Sequence, residues 1–249
     1  MEVKLEAEEG GNLLFSAAVG AASAAAGLLA AKAHPALPPL AMALAIYPEY
    51  LLALKEGRNW SAAARALAWA LGATVAVIAA TAYFGEGVGR LVLNGPEYKE
   101  EMFKWIKTGV GAEGDPRLFV KPKLVELAVF SLLSAVSAGF LGLLLGAYLL
   151  NYMNYYVGCL FIHAKPGYTL TVALAGWPVY AVIRVVGYVC LGTVLSTPLA
   201  AKLLKAKFSG RSLRRQLTVA AAAIILDFIL KATVANAVYQ PILKKALGL

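Results

Sequence analysis

Four charged side chains, Glu49, Arg184, Asp227 and Lys231, stand inside stretches that are otherwise apolar over the width of a lipid bilayer. A hydrocarbon core of about 30 Å takes about 20 apolar residues in a helix. The chain offers six stretches near that length, at 12–31, 36–54, 66–84, 124–150, 170–200 and 217–239. A charge at bilayer depth costs roughly 2.5 to 3.5 kcal/mol on insertion scales and is retained where it is paired or faces an aqueous path. The sequence therefore predicts an all-α, polytopic helical membrane protein. It is read as a single domain over 1–249, with about six transmembrane helices, one interfacial amphipathic helix and a polar bundle interior.

The hydrophobic fraction of 60% exceeds the roughly 45 to 50% of soluble domains, which excludes disorder and argues against a soluble enzyme. The first apolar stretch follows the acidic residues Glu2, Glu6, Glu8 and Glu9, whereas a secretory signal has a basic start, so a retained helix is expected. Cys159 and Cys190 lie in apolar surroundings without ligand spacing and read as small core residues. Zincin, nucleophile-elbow and Walker sequences are missing, and His34 and His163 have no partner at ligand spacing. No metal, cofactor or catalytic residue is expected. Gly85, Gly87 and Gly89 follow a membrane helix rather than a strand, so they mark a helix end instead of a dinucleotide loop.

The net charge of +9 is first a matter of topology. With the N-terminus outside, Lys32 and the loops 85–123 and 201–216 are cytoplasmic and hold 14 Lys and Arg, against 7 on the other side. That bias satisfies the positive-inside rule and places both termini outside a cell membrane. Lys202, Lys205, Lys207, Arg211, Arg214 and Arg215 form the densest basic cluster. It reads as a topology determinant and anionic-lipid contact, and secondly as a docking site for phosphate-bearing or acidic partners.

Small residues recur four apart in the first stretch, as Ser16, Gly20 and Ala24 and as Ser23, Gly27 and Ala31, and in the fourth as Ser134, Ala138, Gly142 and Gly146. Such stripes let helix backbones approach closely. Pro96 and Gly109 bracket an amphipathic helix at 97–108, with Tyr98, Met102, Trp105 and Ile106 on one face. It suits a helix lying in the cytoplasmic interface; covering a cytoplasmic mouth or docking a partner is the alternative. Pro48 predicts a kink or break before Glu49. Tyr148, Asn151, Tyr152, Asn154, Tyr155 and Tyr156 read as an interfacial belt, with a short re-entrant piece or an extra crossing behind it.

Matched depth pairs Arg184 with Asp227 and Lys231 with Glu49, either to lock helix register or to line a path. Asp227 with Lys231 resembles the retinal-binding helix of microbial rhodopsins, which would make the lysine a Schiff-base carrier and the aspartate part of its counter-ion. The likeness covers that helix alone, and the family's third-helix Arg and Asp pattern is missing. In layout, six or so Ala-rich helices with a basic cytoplasmic side and no ATPase, the chain resembles the membrane-channel subunits of conjugation-type and archaeal DNA-import machines. That likeness implies a translocation channel beside a separate motor ATPase and small membrane partners, with nucleic acid or another polyanion as cargo. Asn154, Gly158 and the stretch from Trp177 to Gly187 resemble, more distantly, the stage II sporulation protein M family, without the acidic residue expected there. Ala- and Val-rich helices with few Asn and Gln also suit a thermophile. The expected function is a channel or translocation subunit; the rival is a scaffold whose charges only fix helix packing.

Overall fold

The computed structural model describes residues 2–249, with side chains from residue 10 onward. It is 84% helical, with no strand among the described residues. The elements are α1 (Glu2–Ala30), α2 (Leu37–Lys55), α3 (Asn59–Phe84), a 3-10 turn (Glu86–Leu91), α4 (Gly95–Thr108), α5 (Pro116–Val136), α6 (Phe140–His163), α7 (Thr169–Ala175), α8 (Val179–Leu204), α9 (Gly210–Val234), a π turn (Ala235–Tyr239) and α10 (Gln240–Leu247). Five helical stretches are long and apolar enough to cross a membrane: Gly10–Ala30, Leu37–Lys55, Asn59–Phe84, Thr169–Leu204 and Gly210–Leu247. Large apolar side chains such as Leu14, Leu71, Leu132 and Ile225 stand on the outside of the bundle, as a lipid-facing surface requires.

The fourth apolar stretch is not one helix. It turns back at Ser137–Gly139, where Ala138 (φ 49°) and Gly139 (φ 94°) are left-handed. The Ser137 hydroxyl donates to the Leu133 carbonyl and accepts from the Leu141 N–H (2.9 Å), so it closes α5 and caps α6 together. Ser134 and Gly142 therefore face each other across a hairpin instead of sharing a stripe. Ala138 lies in the turn, and Gly146 meets no neighbour. The extra reversal changes which loops share an end. Gly57, between α2 and α3, abuts the Lys207 carbonyl, and Tyr47 donates from α2 to the Ser137 carbonyl. At the other end Glu86 holds Lys99 and His163, and Lys244 donates to the Lys107 carbonyl. The basic cluster thus lies at the opposite end of the bundle from α4, and the two-to-one cation excess, which needed both loops on one side, is lost.

Two further expectations change, and the long fifth stretch is divided. The break expected as one possibility at Pro48 is not seen, since α2 is one helix from Leu37 to Lys55. The tyrosine and asparagine run is interior: Asn151, Asn154, Tyr155 and Tyr156 are buried in the continuous helix α6, and Asn154 donates to Thr74 on α3. The fifth stretch breaks at Gly176–Pro178 into α7 and α8.

The small-residue stripe of α1 does what its spacing predicts. Gly20 packs on the carbonyl of Trp69 and Gly72 on that of Ala17, so α1 and α3 touch backbone to backbone, while Gly27 packs on Pro38 of α2. Any Cβ at Gly72 would overlap the α1 backbone. Gly72→Leu should therefore cost about 1 to 3 kcal/mol as an overpacked contact and lower the thermal midpoint in detergent. Gly146→Ala, with open space around it, should leave the midpoint in place.

Candidate functional site

Six charged side chains gather where α5, α8 and α9 meet the loop that joins α4 to α5. Arg184 Nε donates to Asp227 Oδ2 at 3.1 Å, joining α8 to α9, with the Asp227 side chain 2% exposed. The expected Arg184–Asp227 pair is thus formed. The expected Lys231–Glu49 pair is not. Lys231 Nζ donates instead to Glu113 at 2.8 Å and lies 4.9 Å from the centre of the Phe119 ring. Glu49 accepts from Arg65 Nη1 at 2.9 Å.

Both partner choices follow from local geometry. α3 begins at Asn59, earlier than its apolar run, and the 56–58 turn makes α2 and α3 a hairpin. Glu49 and Arg65 lie equally far from that turn and so at one level. Arg65, counted from the sequence as a loop cation, is 2% exposed. Glu113 belongs to a glycine-rich loop, Gly109, Gly111 and Gly114, that folds into the bundle end instead of into solvent. Its only sequence signal is that glycine spacing. Lys123 and Glu126, on one face of α5 at 4.0 Å, complete the cluster, and Glu126 also accepts from the Tyr188 hydroxyl at 2.8 Å. Three cations, Lys123, Arg184 and Lys231, thereby meet three carboxylates, Glu113, Glu126 and Asp227. Near-neutral composition is what burial demands, because an uncompensated charge in a low-dielectric interior costs several kcal/mol.

A cavity of about 90 Å³ lies between α3, α5, α6 and α8. Arg184, Glu126, Tyr152 and Tyr188 line one end, and Tyr50, Ser196 and Gly139 the other. Along α8 the distance from Arg184 to Ser196 is about 18 Å at 1.5 Å per residue, so the cavity is a narrow crevice that follows the bundle axis. Gly146, with open space where a side chain would stand, lines it, while Gly142 and Gly192 pack on Ser134 and Phe130, and its walls are largely apolar. Ser134 Oγ and Trp69 Nε1, both buried on that wall, have no hydrogen-bond partner among the described residues. Space of this volume holds on the order of six waters. Lys231 is not on its wall; its ammonium group lies against Glu113 and the Phe119 ring.

α4 covers the charged end. Its Met102, Trp105 and Ile106, expected to dip into a membrane interface, are buried against α6 and the C-terminal helices. The π turn presents Asn236, whose Oδ1 accepts from Trp105 Nε1 at 2.7 Å and whose Nδ2 donates to the Gly109 carbonyl. Gln240 donates to the Ile106 carbonyl at 2.6 Å. On the other flank Glu86 accepts from Lys99 Nζ at 2.7 Å and contacts His163 Nε2 at 2.6 Å.

At the opposite end Lys202, Lys205, Lys207, Arg211, Arg214 and Arg215 are all exposed, and none forms an ion pair among the described residues. Three of them stand in the first turns of α9, where the helix dipole disfavours cations. The cluster of buried charges does not include them. Cys159 and Cys190 are free and buried, and no group of metal-ligating side chains occurs among the described residues. Comparison with protein-family models, with curated proteins and with solved structures gave no match for this chain.

Two predictions follow from these contacts. Arg184→Leu strands Asp227 and should cost about 3 to 5 kcal/mol, while the double replacement Arg184→Leu with Asp227→Leu should recover most of that loss in thermal unfolding. Lys99 and His163 hold the Glu86 carboxyl below its ordinary value of 4.5. A carboxyl with a lowered folded pKa contributes stability that is complete above 4.5 and is lost as pH falls through the folded value. Hydrogen-exchange protection of α4 amides should therefore drop as pH falls below that range, and Glu86→Gln should start low and lose this pH dependence.

Proposed function

We propose that the chain is a multi-pass cell-membrane protein acting as a channel or translocation subunit, with a route for small polar solutes along the crevice. One observation carries this reading: Arg184 and Glu126, members of the buried charge cluster, also form the crevice wall. Charges that served only to fix helix packing would face one another and not open space. α4 and the Glu113 loop then act as the cover of one mouth.

In this reading α1, α2, α3, α5, α6, α8 and α9 cross the bilayer, α5 and α6 each being long enough at 21 and 24 residues. Seven crossings put the termini on opposite sides. Cysteines introduced at Val110 and at Ser209 should then react with an impermeant reagent from opposite faces of sealed vesicles; labelling of both from one face would restore the six-crossing layout.

The crevice is far too narrow for a nucleic acid strand, so a polyanion would have to cross between copies of the chain or not at all. The six exposed cations, without an ion pair among the described residues, favour a second role, the docking of an anionic partner such as a motor ATPase or its cargo. Flux tests the primary role. Proteoliposomes should pass small polar solutes faster than empty liposomes, and Gly146→Leu, which fills the crevice, should bring the rate down to the empty level. Equal permeability with and without the protein would retire the route.

A further inference from the structure

We propose that the crevice binds a zwitterion with an apolar body, of the α-amino-acid class. As the identity of the transported solute this rests on the translocation reading; as a binding site it stands on the geometry alone.

The cluster at the head of the crevice is already balanced, with Lys123, Arg184 and Lys231 against Glu113, Glu126 and Asp227. A ligand with a net charge would unbalance it in a crevice with room for only a few waters to compensate. A ligand with one charge of each sign would not. The two crevice-lining members of the cluster also retain unused capacity of opposite kinds. Arg184 engages Asp227 through Nε only, and its two Nη groups make no hydrogen bond among the described residues. They form a fork suited to a carboxylate. Glu126 receives Tyr188 and faces Lys123 through Oε1, which leaves Oε2 free for an ammonium group. Beyond this head the walls are Phe130, Leu143, Leu150, Met153, Val185 and Val189, which offer an apolar side chain a matching surface. Ser134 Oγ and Trp69 Nε1, unpartnered and buried on the same wall, are the polar groups such a ligand or its waters would satisfy.

The test is equilibrium binding of radiolabelled leucine to the full chain in detergent, with competition by N-acetyl-leucine, which lacks the ammonium charge, and by isoamylamine, which lacks the carboxylate. Leucine should bind saturably, and each competitor about tenfold or more weakly, as expected for the loss of a charge-assisted hydrogen bond. Glu126→Gln makes the head net positive, so it should reverse the order and favour N-acetyl-leucine over leucine. If that variant does not fold, the three ligands on the unaltered chain decide. No saturable leucine binding, or equal binding of all three compounds, overturns the proposal. Leucine binding without flux in the proteoliposomes supports the site and retires the route; flux of other solutes without leucine binding retires the site and leaves the route standing.

Discussion

Charge neutrality inside an apolar bundle is the constraint on which the arrangement depends. An isolated ammonium or carboxylate in the middle of α8 or α9 would weaken the bundle by more than a single packing contact returns, so each buried charge dictates a neighbour. Arg184 and Asp227 tie α8 to α9. Lys231 draws the Glu113 loop into the bundle end, and that loop in turn sets where α4 and α5 can lie. Arg65 and Glu49 tie α2 to α3 near the opposite end. The close backbone contact of α1 with α3 through Gly20 and Gly72 then fixes the side of the bundle that carries no buried ion pair.

The crevice follows from the same economy of space. Helices joined by long charged side chains cannot approach as closely as those joined by glycine, and on α6 the missing side chain of Gly146 adds to the gap. Gly146 meets nothing and helps to line the wall. The charges at the head of this gap are paired, yet Arg184 and Glu126 are not saturated. That combination separates a site from a lock.

Helical class and buried polarity were legible because apolar length and the cost of charge at depth act on each residue locally. The Arg184–Asp227 pair was legible for a similar reason: both residues lie near the middle of neighbouring stretches. The hairpin at Ser137–Gly139 was not, since Ser, Ala and Gly there are as compatible with a continuous span as with a turn, and hydropathy does not register a left-handed backbone. Missing that turn inverted the ends of every later helix and put the basic cluster beside α4. The partner of Lys231 was hidden because Glu113 belongs to a polar loop that only tertiary packing turns inward. Arg65 was hidden by a helix that begins before its apolar run does. The six exposed cations were visible as a cluster, but their exposure at the opposite end of the bundle from α4 is a property of the fold.

The central claim is that the buried charges face an open, water-accessible crevice. Its most direct test is the reactivity of a cysteine placed at Gly146, with Cys159 and Cys190 replaced, toward a small charged thiol reagent in membranes. A cysteine at Leu132, on the outer surface of α5, serves as the lipid-facing reference. The thiol at 146 should react and the one at 132 should not. Equal inertness at both positions would mean that the gap is dry and closed, and that the ion pairs hold helices together and do nothing more.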